Sequence, residues 1–131
     1  MRFVLSLSLF ACVACGDNRL VPIDAPPPDG PPAAPRAVVV AGDFTHGDPG
    51  VMSVVDLGTL TITNNVAPQG AVDSDPMLRK FGNELFVINR SDNNITILKA
   101  SDFSLVEQIA TGDNSNPQDV AVVGDKLFVP V

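Results

Sequence analysis

The 131-residue chain has no tryptophan and no tyrosine, a single histidine, His46, and only two cysteines, both within its first fifteen residues. Without indole or phenol rings it lacks the usual platforms on which bases or sugars stack, and its seven phenylalanines are the only aromatics. Positive charge is also scarce. Eight Lys and Arg against fifteen Asp and Glu leave a net charge of −7, which repels phosphate backbones and argues against a nucleic-acid partner. One histidine can neither make a multi-histidine metal site nor anchor a triad without partners. No G-x-S-x-G, Walker loop or dinucleotide fingerprint appears. No apolar run reaches the about 20 residues that a transmembrane helix needs, and no window shows the i, i+3, i+4, i+7 stripe of an amphipathic helix. What remains is a chain with 45% hydrophobic residues, enough for a core, and few cations.

The first stretch, MRFVLSLSLFACVACGDN, places Arg2 before an apolar run from Phe3 to Ala14 and small residues before a cysteine. That is the layout of a secretory signal. It resembles a bacterial lipoprotein signal, in which a cysteine following a small residue is lipidated and becomes the mature N-terminus. Two cysteines compete for that role. Cys15 follows Val13-Ala14, and Cys12 follows Leu9-Phe10-Ala11, where Leu9 fits the pattern but Phe10 and the very short signal do not. A C-x-x-C redox or metal pair needs a folded context or a second pair, and neither is present. A plain cleaved signal, with both cysteines lost, is a further reading. Asp17 resembles an inner-membrane retention signal of some bacteria.

Residues 1–15 are thus read as signal peptide and 16–36 as linker. Nearly half of Val21 to Arg36 (VPIDAPPPDGPPAAPR) is proline, which fixes φ near −65° and donates no backbone hydrogen bond. Such a stretch forms an extended spacer of about 3 Å per residue. It suits a tether to a membrane, and needs no adaptor domain that recognises proline-rich ligands.

From residue 37 to 131 β-branched runs alternate with Gly, Asn, Asp and Pro, the pattern of short strands joined by turns. The segment also repeats itself. GNELFV at Gly82–Val87 returns as GDKLFV at Gly124–Val129, an offset of 42. An offset of 43 pairs Met52 with Ile95, Val54 with Ile97, Val55 with Leu98, Leu60 with Phe103 and Val66 with Ile109. An offset of 41 pairs Asp75-Pro76 with Asn116-Pro117. The pattern predicts strands over 77–81, 85–89, 94–99, 103–110 and 119–123 and another from Leu127. Phe103, Leu105 and Ile109 are expected to face inward. Gly82-Asn83 and Gly124-Asp125 suit two-residue hairpin turns.

Four strands in a unit of about 40 to 45 residues is the spacing of a β-propeller blade. The residues LFVINRSDNNITILKASDFSLVEQIATGDNSNPQDVAVVGDKLFV resemble the YVTN family of propeller repeats. Phe86-Val87-Ile88-Asn89 occupies the naming tetrad, and Gly112 to Pro117 stands where the family has its glycine, asparagine and proline turn. Phenylalanine replaces the family's tyrosine, the last tetrad reads Phe128-Val129-Pro130-Val131, and the first unit is longer than the pattern. The expected fold is all-β, with about two blades of four-stranded antiparallel sheet behind the signal and linker. Propellers close with about four to eight blades, so the chain is expected to be the N-terminal fragment of a longer propeller. A complete small β-sheet lipoprotein that pairs with another chain is the alternative.

Alternate connections of such a sheet emerge on the same side. The tight turns at Gly82-Asn83, Gly124-Asp125 and Ala100 to Asp102 share one face. The longer loops, 42–50, 67–75, 90–94 and 112–116, share the other, where rigid scaffolds carry binding residues. The candidate ligand-binding residues are Asp43, His46, Asp48, Asp73, Asp75, Arg90, Asp92, Asp113 and Asn114. Each is also a residue that turns favour on backbone grounds alone. Calcium would need about six to eight converging oxygens, and these loops match no fixed ligand spacing, so no metal and no cofactor is expected. Nothing in the sequence argues for catalysis. The expected protein is an envelope-anchored lipoprotein, facing the periplasm or cell surface, that binds a protein or surface polymer. The alternative is a fragment of a propeller enzyme, a lactonase-like hydrolase or quinoprotein-like oxidoreductase, with its site in further blades.

Overall fold

A computed structural model describes residues 34–131. The residues read as signal peptide, both cysteines and nearly all of the proline-rich stretch lie outside them. The described residues are all-β and form nine strands in three antiparallel sheets, each following chain order. The first sheet holds β1 (Arg36–Asp43), β2 (Asp48–Asp56) and β3 (Ile62–Asn64). The middle sheet holds β4 (Pro76–Phe81), β5 (Glu84–Asn89), β6 (Asn94–Lys99) and β7 (Leu105–Ala110), the four-strand meander of a propeller blade. The last is a hairpin of β8 (Ala121–Val123) and β9 (Lys126–Phe128).

Turn chemistry sets the hairpins. Gly82 (φ 54°) begins the two-residue turn between β4 and β5, and Gly124 (φ 62°) does the same between β8 and β9. Glycine in the first central position is the signature of a type II′ turn, whose twist matches that of the strands. The two hairpins share one register: Arg79 pairs with Phe86 and Ala121 with Phe128, both displaced by 42. The first sheet repeats the middle one in its turns as well. Leu60 (φ 59°) and Phe103 (φ 62°) occupy the same left-handed position. Their amides donate to the Asp56 and Lys99 carbonyls at 2.8 and 2.9 Å.

The core consists of two layers separated by the middle sheet. Leu85, Val87 and Leu98 point one way, onto Met52, Val38, Val40 and Val54 of the first sheet and onto Ala71, Val72 and Phe103. Phe86, Ile88, Ile95 and Ile97 point the other way, onto Val122 and Leu127 of the last and onto the flanking Val120 and Val129. Strands buried on both faces read as continuous apolar runs, as LFVI does; ITIL carries one polar residue, Thr96, fully buried with its hydroxyl accepting from Asn89 and Gln108. Each such side chain contributes about 1.5–3 kcal/mol on full burial. Phe81 and Phe86 meet edge to face at 5.5 Å.

Polar clasps join the sheets. The Arg36 guanidinium donates to the Ala100 and Ser101 carbonyls at 3.3 and 3.4 Å and lies over the Phe103 ring. Arg79 grips Asp119 with two bonds of 2.9 and 3.1 Å.

The strands differ from the sequence reading in three places. Phe103 is buried, but in the turn ahead of β7 rather than in the strand. Leu105 is 53% exposed: a register shift beside Ile97 and Leu98 puts it opposite Leu98 and on the other face from Ile109, and β7 is the outermost strand of its sheet. β8 starts at Ala121 rather than at residue 119, since the Asp119 side chain turns back to accept the Val120 amide at 2.8 Å. The 42–50 loop is also shorter than expected. β1 runs to Asp43 and β2 begins at Asp48, leaving four residues between them.

Candidate functional site

Four connections converge on one side of the sheets. Phe44 comes from the β1–β2 turn, Asp75 from the long β3–β4 loop, Arg90, Ser91 and Asn93 from the β5–β6 turn, and Asn114 and Asn116 from the β7–β8 loop. They line an open cleft of about 390 Å³. The tight turns lie together on the other side, where the Ala100 amide donates to the Asn83 carbonyl at 2.8 Å.

The cleft is built from below by two buried polar side chains. Asn89 ends β5, fully buried. Its Nδ2 reaches Asn94 Oδ1 (2.8 Å), Thr96 Oγ1 (3.0 Å) and the Ala71 carbonyl (3.2 Å), and its Oδ1 accepts the Asp73 amide at 3.1 Å. This ties the β3–β4 loop to the end of the middle sheet. Asp73 is buried in turn. Its carboxylate accepts the amides of Ser91 (2.7 Å), Asp75 (2.8 Å) and Asp92 (3.0 Å), joining the two loops that carry Asp75 and Arg90. Among the described residues no buried side-chain nitrogen or oxygen is left without a partner. The loop packs tightly against the first sheet: a Cβ on Gly50 would overlap the Asp73 carbonyl oxygen.

On this base Arg90 Nη2 meets Asp75 Oδ1 at 2.5 Å, both side chains about a quarter exposed, and its Nε donates to the Asp75 carbonyl at 3.4 Å. The pair is partly desolvated and fixes the guanidinium while cancelling its charge. Asn93 holds the far wall. Its Oδ1 accepts the Asn116 amide at 2.9 Å, and its backbone carbonyl accepts the Thr111 amide at 2.9 Å. Asn93, Asn114 and Asn116 all have positive φ, a conformation that asparagine tolerates better than most residues. The Phe44 ring stands 74% exposed at the rim.

Of the candidate residues, the structure therefore brings together Asp75, Arg90 and Asn114. Asp73 serves as an internal clamp. Asp43 caps its own turn, accepting the Thr45 and His46 amides at 3.1 and 3.2 Å and meeting His46 Nδ1 at 2.6 Å. The His46 ring, followed by these amides, holds the Asp43 carboxyl below the usual carboxylate range. Asp48, Asp92 and Asp113 are exposed and do not line the cleft. Phe44, Ser91, Asn93 and Asn116 line it without having been singled out from sequence. Phe44 carried a signal, an aromatic ring alone in the polar stretch GDFTHGD. The asparagines did not stand out from other turn formers.

Chemically the cleft offers carboxamides, a hydroxyl, a neutralised guanidinium and one apolar ring. This set can hydrogen-bond a polar, uncharged surface but supplies no excess positive charge for a polyanion. Among the described residues no three His, Cys, Asp or Glu side chains are placed to hold a metal ion. No helix among them is long and apolar enough to cross a membrane. No protein-family model matches the chain, and no curated protein sequence matches it.

Proposed function

We propose that this protein is an envelope-anchored lipoprotein whose YVTN-like, propeller-type sheets stand on a proline-rich spacer and bind a protein or surface polymer through the loop-side cleft, without catalysing a reaction. The observation that carries this reading is the convergence of four loops on one cleft above a braced floor, with Arg90 held by Asp75 and the asparagine loops fixed by backbone bonds. Rigid positioning of polar groups on loops is how scaffolds of this kind present a recognition surface. The lipid anchor is supported by the arrangement of Arg2, the apolar run and the cysteines at 12 and 15.

Two measurements test the reading. Expression with a clickable palmitate analogue is expected to label the protein, and Cys15→Ser to abolish the label, with Cys12→Ser abolishing it instead if that cysteine is the acceptor. Retention of label in the double variant refutes the anchor. The cleft is tested by binding of the chain to a bacterial envelope fraction, with protease-treated and periodate-treated fractions separating protein from polysaccharide ligands. A Phe44→Ala, Asn114→Ala, Asn116→Ala triple variant is expected to weaken binding by about tenfold or more, or about 1.4 kcal/mol. Equal binding by the variant removes the cleft as the recognition surface.

A further inference from the structure

We propose that the loop-side cleft binds a neutral polysaccharide, taking adjacent ring hydroxyls on its carboxamides and the apolar face of a sugar ring on Phe44. The inference rests on the reading of this cleft as the recognition surface and narrows it to one ligand chemistry. The first observation is charge. On a chain of net charge −7, the described wall of the cleft has one cation and one anion, Arg90 and Asp75, and they pair with each other at 2.5 Å. A polyanion meets no free cation there, and a polycation meets no free carboxylate. The ligand that fits is uncharged.

The second observation is which hydrogen-bonding groups the fold leaves over. The floor is used up, because Asn89 and Asp73 spend their polar atoms on loop amides and neighbouring side chains. The wall is not. Asn93 fixes the β7–β8 loop by accepting the Asn116 amide at 2.9 Å, and the Gln118 side chain holds the Asn116 carbonyl at 2.7 Å. The carboxamides of Asn114 and Asn116 themselves bond to none of the described residues. Each therefore presents a donor and an acceptor in one plane, on backbone held at positive φ. A sugar is the uncharged molecule that matches such pairs, since hydroxyls on adjacent carbons both donate and accept. Its ring also has a face of C–H bonds, whose slight positive charge suits the negative face of an aromatic ring. Phe44, 74% exposed at the rim, is such a ring. A peptide fits less well. Extended peptides are held by sheet edges or apolar grooves, whereas every residue lining this cleft lies in a connection and Phe44 is the only apolar one. At about 390 Å³ the cleft is within the range of small-ligand sites, about 300–1,000 Å³, so it grips a few units of a longer polymer.

The test titrates the full chain with dextran, mannan and galactan, all neutral, and with alginate, which is anionic. Binding to at least one neutral polymer and not to alginate is expected, with an affinity that changes less than about twofold between about 50 and about 500 mM salt. Phe44→Ala, and Asn114→Gly, which removes the carboxamide but keeps the positive φ, are each expected to weaken binding by about fivefold to tenfold. Both positions are exposed, so an unchanged urea midpoint shows that the fold is intact. Phe44→Trp is expected to retain binding, and its indole, the only one in the protein, to shift its emission to the blue when a sugar ring covers it. Binding to alginate alone, binding to none of the three neutral polymers, or equal binding by Phe44→Ala overturns the proposal. The envelope fraction separates this failure from that of the wider reading. Periodate, which cleaves the bond between carbons bearing adjacent hydroxyls, is expected to abolish cleft-dependent binding, and protease to leave it. Loss to protease with survival of periodate overturns the polysaccharide while the cleft stands as a protein-recognition surface, whereas equal binding by the Phe44→Ala, Asn114→Ala, Asn116→Ala variant removes both.

Discussion

Replacing Asp73 tests whether the loop side is braced as described. In Asp73→Ala the amides of Asp75, Ser91 and Asp92 lose a common carboxylate that accepts them at 2.8, 2.7 and 3.0 Å. A hydrogen bond to a charged group is worth about 1.5–3 kcal/mol. Ser91 and Asp92 are exposed and regain part of that from water, so the expected loss is about 3 kcal/mol rather than the full sum. Asp73→Asn separates the bonds. Its one remaining oxygen can keep the Ser91 and Asp92 amides while an NH₂ faces the Asp75 amide, or the reverse, and the expected loss is about half that of alanine. Urea denaturation followed by far-UV circular dichroism is the assay, because a chain without tryptophan or tyrosine gives little intrinsic fluorescence. At an m-value of about 1.5 kcal/mol/M, Asp73→Ala shifts the midpoint down by about 2 M and Asp73→Asn by about 1 M. A shift below about 0.3 M for alanine, or equal shifts for the two variants, refutes the clamp.

Three further outcomes follow from the packing and the titrating groups. Phe86 and Phe128 occupy equivalent places, one buried and one exposed, so Phe86→Ala is expected to cost about 3–5 kcal/mol and Phe128→Ala under about 1 in dilute solution, both by urea titration. Gly50→Ala forces a Cβ onto the Asp73 carbonyl oxygen and is expected to lower stability by about 1–3 kcal/mol; an unchanged midpoint contradicts the close approach of loop and sheet. Four carboxyls lie below their ordinary range, Asp119 chiefly through the Arg79 side chain, Asp102 through the Ser104 hydroxyl, Asp56 through the Thr59 amide and Asp43 through the His46 ring. A folded-state pKa below the unfolded one stabilises above about pH 4 and is lost as pH falls through the folded value, so the urea midpoint should hold steady from neutral to about pH 5 and decline below about pH 4. A midpoint at pH 3 equal to that at pH 6 removes these contributions.

Much of the scaffold could be read from residue types alone. The Gly82 and Gly124 turns, the apolar β5 and the 42-residue displacement all depend on local rules, namely positive φ at glycine and a side-chain period of two, whereas β6 reads as half-buried from Ile95, Thr96 and Ile97 and is buried on both faces. The errors came where tertiary structure overrides that period. Leu105 reads as core because alternation from Ile109 and Phe103 puts it there, yet a register shift against β6 moves it to the other face from Ile109, on an outermost strand where it is 53% exposed. Nothing in SLVEQIA announces that irregularity. The cleft was legible only as a set of loops. Whether an aspartate ends as a clamp, like Asp73, a wall, like Asp75, or the cap of its own turn, like Asp43, depends on which backbone amides the fold brings to it. Those come from residues up to nineteen positions away. Asn89 shows the same limit: it reads as the last residue of a strand, and acts as the buried junction between that strand and a loop arriving from the preceding sheet.

The middle sheet, with neighbours on both faces, makes the described residues a stretch of one-dimensional lattice. In such a lattice stability is nearly a sum over units and their nearest-neighbour couplings. Among the described residues only the middle sheet is packed on both faces, so opening of this part of the chain should reach Val87, Ile88, Ile95 and Leu98 last. Amide hydrogen exchange would then rank the strands by the number of faces covered by another sheet rather than by length or hydrophobicity.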